Sequence, residues 1–419
     1  MKNTFVALLL WLSIINVSFG QGFNASGIGM AGAYGASARG VDALAWNPAN
    51  LSLKHDNLLE INLVGVNFSA SNSSLSINDY KRYFTQSGHG GLWTEEDIDN
   101  LLRLIPAGGL RTQGDIKGNV IGLMFGRYGF SVQMIGKILG VVPKSVFELF
   151  LKGNQQLFKR FSFYDTDASG FSAVKLSLSL SQPIPFKKYF DEFGVGMNIN
   201  YYRGFLNGEV IESDGSFVTT HSGLVSTMNI TSRSAEGGSG FGFDIGAAGR
   251  INKDWTVSLA LNNVYASIDW SQNPEGRLAT IIQDTIAVGD FENLDSLITT
   301  ETYAIDAYQT RIPVVFHLGV AYDLRENVTL GLDLEQAFQR KMGYSDRGQL
   351  AIGVEYKPIG FLPLRAGMSF GGKWKYLFGM GFGLHLGFFQ FDMGYAIHQG
   401  LWPTVSTGFS TAANIKIVF

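Results

Sequence analysis

Connections between the extended segments of this chain alternate long, short, long, short along almost its whole length. Tight connections fall at Arg127 to Gly129, Asn252-Lys253-Asp254, Arg325-Glu326-Asn327 and Lys357 to Gly360. The long ones include 71–115, 140–169, 208–239 and 267–310, and almost all of them fall on the same side. The last residue, Phe419, closes the alternating run Asn414-Ile415-Lys416-Ile417-Val418-Phe419. One common architecture needs such sorting: an antiparallel β-barrel in a bacterial outer membrane, with long loops outside and tight turns in the periplasm.

Candidate strands counted back from Phe419 fall near 404–419, 387–398, 374–384, 361–370, 347–357, 326–337, 311–323, 254–266, 240–250, 193–207, 170–182, 129–139, 116–127 and 57–70. That is fourteen, the even number a single-chain bacterial barrel requires. Within them side chains alternate with a period of two. Leu176, Leu178 and Leu180 alternate with Ser177, Ser179 and Ser181, and Leu330, Leu332 and Leu334 with Gly331, Asp333 and Glu335. Phe389 to Ile397 alternate in the same way with Gln390, Asp392, Gly394, Ala396 and His398. A soluble sandwich also alternates, but it turns its large apolar residues inward. Here the small and polar face suits a lumen, and the apolar face suits lipid.

The first twenty residues stand apart. Lys2 precedes an apolar stretch from Phe5 to Val17, and Ser18 and Gly20 place small residues before Gln21, which is the pattern of a secretory signal peptide. The expected division is signal peptide 1–20, an N-terminal plug or hatch segment 21–55, and an outer-membrane barrel 56–419. No later segment offers about 18 consecutive uncharged apolar residues, so membrane-spanning helices are not expected. Only 16% of residues are charged, while glycine (52) and phenylalanine (32) are plentiful, as expected of a wall with one lipid-facing side. Without the leader the chain has 31 basic and 35 acidic residues, which gives no electrostatic case for nucleic acid. With no cysteine, a lipoprotein anchor and a cysteine metal site are both excluded.

Aromatic residues near the expected strand ends suggest two interfacial girdles, Tyr128, Trp255, Tyr322, Tyr356 and Phe361 below, and Tyr265, Trp270, Trp374 and Trp402 above. Two long loops read as partly helical. Thr94-Glu95-Glu96-Asp97 resembles a capping box, followed by Ile98, Leu101, Leu102 and Ile105 at helical spacing and stopped by Pro106. Pro143 opens a second helix with Val146, Phe147, Leu149 and Phe150 before Gly153. Apolar helices in an exposed loop need a partner: the barrel rim, each other, or a greasy ligand. Leu101, Phe147 and Phe150 are the candidate contacts for such a ligand. The segment 208–239 also carries weak strand signals at Val210, Val218, Leu224 and Val225, and reads alternatively as a hairpin rising above the membrane.

Ahead of the first strand lie Gly27-Ile28-Gly29-Met30-Ala31-Gly32-Ala33-Tyr34 and then Asp42-Ala43-Leu44-Ala45-Trp46-Asn47-Pro48-Ala49-Asn50-Leu51. The first run spells G-x-G-x-x-G, but no strand precedes it and no βαβ unit surrounds it, so a dinucleotide site is rejected. Together the two runs resemble the N-terminal segment of the long-chain fatty-acid transporter (FadL) family and its relatives, which include PorV-type barrels associated with type IX secretion. Asp42, Ala43, Asn47, Pro48, Ala49 and Leu51 match that group's Asp-Ala…Asn-Pro-Ala pattern, and the sharpest part covers about 25 residues. The resemblance implies a fourteen-stranded barrel whose head folds inside as a plug, with Asp42, Asn47, Pro48 and Ala49 as the plug motif. Physically, Gly and Ala allow close backbone packing, Asn47 before Pro48 favours an extended or turn geometry that would end a short helix, and Asp42 is placed to pair with a lumenal Arg or to cap that helix.

Catalytic chemistry is not visible. The histidines (His55, His89, His221, His317, His385 and His398) are scattered, with no His-Glu-x-x-His spacing and no His-x-Ser-Asn run. No enzyme activity, metal site or cofactor is expected. The inward face set by alternation carries Glu60, Asp244, Asp333, Glu335, Glu355, Arg365, Asp392 and Lys416, which would hold the plug, tune solute passage, or make a salt-bridged filling. The leading function expected is passive uptake of a hydrophobic small molecule, by analogy with the FadL family. The alternative is a PorV-like accessory of secretion or surface assembly that holds protein partners on loops 71–115 and 267–310, the latter rich in acidic residues. Expected partners are outer-membrane lipid, a hydrophobic ligand, the barrel-assembly machinery through the C-terminal Phe419 and, in the alternative, secretion partners.

Overall fold

A computed structural model describes residues 24–419 except 86–92, 154–155, 222, 287–298 and 374. The expected signal peptide and Trp374 lie outside the described residues. The first strands are β1 (Leu59–Asn72), β2 (Leu110–Phe125), β3 (Tyr128–Val142), β4 (Arg160–Ser162) and β5 (Asp167–Pro183). Three long strands follow, β6 (Glu192–Thr220), β7 (Gly223–Arg250) and β8 (Trp255–Ile286), then the short β9 (Thr299–Ala304) and β10 (Tyr308–Arg311). The rest are β11 (Val315–Arg325), β12 (Val328–Ala337), β13 (Gln349–Ile359), β14 (Leu362–Gly371), β15 (Lys375–Leu386), β16 (Phe389–His398) and β17 (Gly408–Val418). Because β1 pairs with both β17 and β2, the sheet closes and has no open edge in its wall. Fourteen antiparallel strands form that wall, and β4, β9 and β10 are short additions at the long-loop end.

The alternation read from the sequence is the alternation of the wall. Ser177 and Ser179 are buried while Leu178 and Leu180 are exposed, and Asp333 is buried between exposed Leu332 and Leu334. Large apolar side chains such as Leu63, Val66, Ile116, Ile352 and Met380 lie open on the outside of the strands, where lipid rather than water would meet them.

Three expectations need correction. The segment 208–239 is not a loop: β6 and β7 stay in register from Glu192↔Arg250 to Thr220↔Gly223, so the hairpin alternative is the one realised. Much of 267–310 is likewise strand, since β8 continues to Ile286 and pairs with β9 and β10. Backbone pairing satisfies these strands wherever they run, so their polar side chains do not stop them as a lipid-facing strand would be stopped. Consequently Trp270 is not at a strand end. It sits on the inward face of β8, fully buried, where the absence of a side chain at Gly204 and Gly238 leaves room for its indole. The other girdle positions are better placed: Tyr128, Trp255, Tyr356 and Phe361 are exposed near the short turns, and Tyr265 and Trp402 toward the long loops. Trp255 also packs on Tyr322 with ring centroids 4.5 Å apart.

Residues 24–53 are folded inside the wall. A helix, Ala25–Gly29, is capped by Asn24, whose side chain accepts the Gly27 N–H at 2.9 Å. A 3-10 turn Gly40–Asp42, a helical turn Ala43–Trp46 and a 3-10 turn Pro48–Ser52 follow. The wall makes room for this segment with a row of glycines. Gly331, Gly353, Gly367 and Gly379 are successive cross-strand neighbours on β12 to β15. A Cβ at Gly367 would lie 2.3 Å from the Met30 carbonyl oxygen, and one at Gly379 would lie 2.3 Å from that of Ile28. Only glycine permits so close an approach of backbone to wall.

At the other end, helices Ile77–Phe84 and Glu95–Leu104 lie in the β1–β2 connection and helix Lys144–Lys152 follows β3. Ser76 with Asp79 and Thr94 with Asp97 form complete capping boxes at the first two.

Candidate functional site: a filled lumen and its mouth

Asp42, Asn47, Pro48 and Ala49, the expected plug motif, are all buried in the lower lumen. Asn47 is extended (φ −151°, ψ 110°), as the following proline demands, and its side chain works in two directions. Its Oδ1 accepts the Ala49 N–H at 2.9 Å, starting the Pro48–Ser52 turn, while Nδ2 donates to Ala247 O (3.0 Å), Ser258 Oγ (2.8 Å) and Leu259 O (3.1 Å) on β7 and β8. Ala49 lies against Gly196 of β6, where an added Cβ would come within 2.4 Å of its nitrogen. Among the described residues, Asp42 makes no cap bond to its helix and no ion pair with an arginine. It accepts from Lys416 Nζ at 2.9 Å and from the Tyr34 hydroxyl at 3.1 Å.

The inward charges extend this set into one network. Lys416 also lies 3.5 Å from Asp392, which receives Arg365 Nη1 at 2.7 Å and His385 Nε2 at 3.1 Å. Arg365 Nε donates to Glu355 Oε2 at 2.6 Å, and Lys357 lies 3.2 Å from the same carboxylate. Glu60 accepts the Val41 N–H at 2.9 Å and Asp333 accepts the Gly35 N–H at 3.2 Å, so both hold the inner segment's backbone. Glu335 stands apart, 3.9 Å from His317. Buried charges without such partners would cost several kcal/mol each, and here nearly every one has an opposite charge or an N–H donor.

Higher in the lumen, Asp244 gathers Asn198 and Asn200 (3.0 Å each), Lys175 (3.4 Å) and the Asn263 N–H (2.7 Å). That last bond stabilises a bulge in β8, where Asn263 adopts φ +55° and the register with β7 shifts between Phe243 and Ile245. Lys373 pairs with Asp115 at 2.7 Å. Sequence reasoning misses these partners: Lys175 and Asp115 lie on the inward face by simple parity, but nothing in the order of residues says which lumenal charges meet across the barrel. Above them is an apolar layer containing Phe171, Tyr202, Ile268 and Trp270, with the Trp270 indole N–H donating to Thr310 Oγ1 at 3.0 Å.

At the mouth, Leu101 is buried with Tyr83, Leu102, Ile105 and Leu110, and Phe147 packs against that cluster from the other loop. Phe150 turns instead to a second cluster of Val146, Leu149, Phe161, Phe163 and Phe217. Lys152 and Asp99 form an ion pair between the two loops. The three candidate contacts thus fall on two adjoining apolar patches rather than one.

The sequence matches the family described as a family of unknown function, DUF5723, over residues 48–395. The chain belongs to that family. No curated protein matches it. In fold, this DUF5723 barrel is similar to the P. putida toluene transporter TodX, with a TM-score of 0.55 at 12% identity over 95% of this chain and 99% of that one. It is also similar to the Ralstonia pickettii toluene transporter TbuX (TM-score 0.53, 13% identity, covering 95% and 99%). A third structure, the CymD monoaromatic hydrocarbon channel, gives a TM-score of 0.52 at 10% identity, covering 94% and 97%. The DUF5723 chain therefore shares the barrel fold of these proteins, the fold that its Asp42–Leu51 run suggested. At these identities the likeness establishes the fold and no more.

Proposed function

We propose that the barrel carries hydrophobic small molecules passively across the outer membrane. The observation that supports this best is the convergence of helices from two separate loops on one apolar cluster at the mouth, above a lumen whose base is filled by residues 24–53. A water-filled diffusion pore has no use for either feature. Ligand lands across the two adjoining patches that hold Leu101 and Phe147 on one side and Phe150 on the other, and passes when the plug shifts around Asn47 and Pro48, breaking the bonds from Asn47 to β7 and β8. The names of the structural neighbours, transporters and channels for aromatic hydrocarbons, are in keeping with a greasy cargo. The secretion-accessory alternative gains no support from them. No enzymatic role is assigned, and Phe419 remains the proposed contact for barrel assembly.

The test is uptake of two radiolabelled probes, toluene and a long-chain fatty acid, by cells with and without the protein. Faster uptake of at least one probe is expected, reduced to background by the double change Phe147→Asp, Phe150→Asp. Equal uptake of both probes with and without the protein would overturn the proposal.

A further inference from the structure

The turn between β12 and β13, residues 338–348, does not stay at its own rim. It reaches across the lumen. In the order of strands around the barrel, β3 and the β12–β13 pair are separated by roughly half the circumference, yet this turn touches β3 and β6. Lys137 of β3 places Nζ 3.2 Å from the centre of the Tyr344 ring. Lys341 Nζ lies 3.7 Å from Glu209 Oε2 of β6, a carboxylate that also receives Arg233 Nε at 2.8 Å. Met342 is buried in the apolar layer with Phe171, Tyr202 and Trp270.

The base of the turn is firm and its tip is strained. Phe338 N–H donates to Val314 O at 3.1 Å, and the Gln336 side chain donates to Asp346 O at 2.5 Å. At the tip, Met342 and Gly343 are consecutive left-handed residues (φ +54° and +74°). For a non-glycine residue that conformation is unfavourable, because Cβ crowds the following carbonyl oxygen. Contacts with the far wall hold it there.

We propose that residues 338–348 are a gate across the lumen, anchored at β12 and β13 and latched to the opposite wall by Met342, Tyr344 and Lys341. The gate controls what entering from outside reaches the polar side chains around Asp244 and Asp115. A ligand that passes the mouth must displace Tyr344 from Lys137, so the gate adds a second, selective barrier above the plug. The proposal adds to the uptake reading without depending on it, because access past the turn is measurable with no ligand.

The chain has no cysteine, so a single reporter is straightforward. Gln133 is buried on the same face of β3 as Lys137, four residues nearer the short turns. Cells carrying Gln133→Cys are treated with a membrane-impermeant sulfonated maleimide. Labelling is compared between the intact gate and two altered forms: residues 340–346 replaced by a short Gly-Ser linker, and the double change Met342→Asp, Tyr344→Ala. A separate Thr302→Cys on the exposed strand β9 reports surface reactivity, and heat-modifiable gel mobility reports barrel folding. The gate account expects at least tenfold faster labelling of the Gln133→Cys thiol in both altered forms, with Thr302→Cys unchanged. The double change alone decides the matter if the linker form fails to fold. Equal labelling rates with and without the gate would overturn the proposal, as would a Gln133→Cys thiol that stays unlabelled in every form.

Discussion

Lys416 Nζ lies 2.9 Å from Asp42 Oδ2, joining the last strand of the barrel to a segment 374 residues earlier in the chain. Both side chains are buried. The pair places the inner segment before β1 against strand β17, within the wall that β1 and β17 close.

Removing one partner leaves a buried charge uncompensated, which typically costs about 3 kcal/mol or more. Lys416→Met therefore loosens the lower lumen while leaving the fourteen-strand wall able to form, because Lys416 contributes to the sheet through its backbone. In planar bilayers the expected result is a rise in ion conductance with unchanged heat-modifiable mobility. The double change Lys416→Met, Asp42→Asn restores a quieter trace, since no isolated charge remains.

A leucine at Gly367 tests the glycine row. Its Cβ would stand 2.3 Å from the Met30 carbonyl oxygen, a separation no packed structure tolerates. Gly367→Leu is expected to displace the inner segment and to raise susceptibility to vancomycin, which ordinary outer membranes exclude, at least several-fold. Gly360→Leu, at a position where an added Cβ meets nothing within 4 Å, is expected to have no such effect.

The ion pair between Lys152 and Asp99 ties the two mouth loops together. Its hydrogen bond to Lys152 holds Asp99 below the usual carboxylate range, and the same bond raises Lys152. A depressed carboxylate contributes above its unfolded value and loses that contribution as pH falls through its folded value. A raised amine contributes below its unfolded value and loses that contribution as pH rises through its folded one. The tie is thus fullest at neutral pH. Both groups are exposed, so salt screens them. Proteolytic nicking of 71–115 is expected to increase below about pH 4 and in about 1 M salt, and Lys152→Ala is expected to remove both dependences.

Much of this is legible in the sequence because the barrel repeats a rule with a period of two. Parity alone places Asp333, Asp392 and Lys416 inside and Leu332 and Leu334 outside, and the even count of strands follows from turns such as Asn252-Lys253-Asp254. The errors occur where the rule outlasts the membrane. Trp270 reads as a girdle residue only if β8 stops at residue 266, although its even number puts it on the inward face with Ile268. Contacts across the lumen are beyond the reach of the sequence altogether. Asp42 finds Lys416 rather than an arginine, and Tyr344 finds Lys137, because barrel curvature brings together strands that no local pattern relates. The Asn263 bulge is hidden as well, since its left-handed residue is an asparagine in an otherwise regular run.

Substitution at the mouth separates the proposed ligand site from the wall. Phe147→Asp and Phe150→Asp each place a charge in an apolar cluster, a change expected to disperse the loop helices while leaving the barrel intact. Uptake of the effective probe should fall to background, while strand content by circular dichroism stays the same.

The most direct measurement is native mass spectrometry of the protein extracted from outer membranes in mild detergent. The account predicts a bound apolar molecule of defined mass, retained by the unaltered chain and lost from the Phe147→Asp, Phe150→Asp form. A barrel bound to a defined protein partner and carrying no such molecule would contradict it.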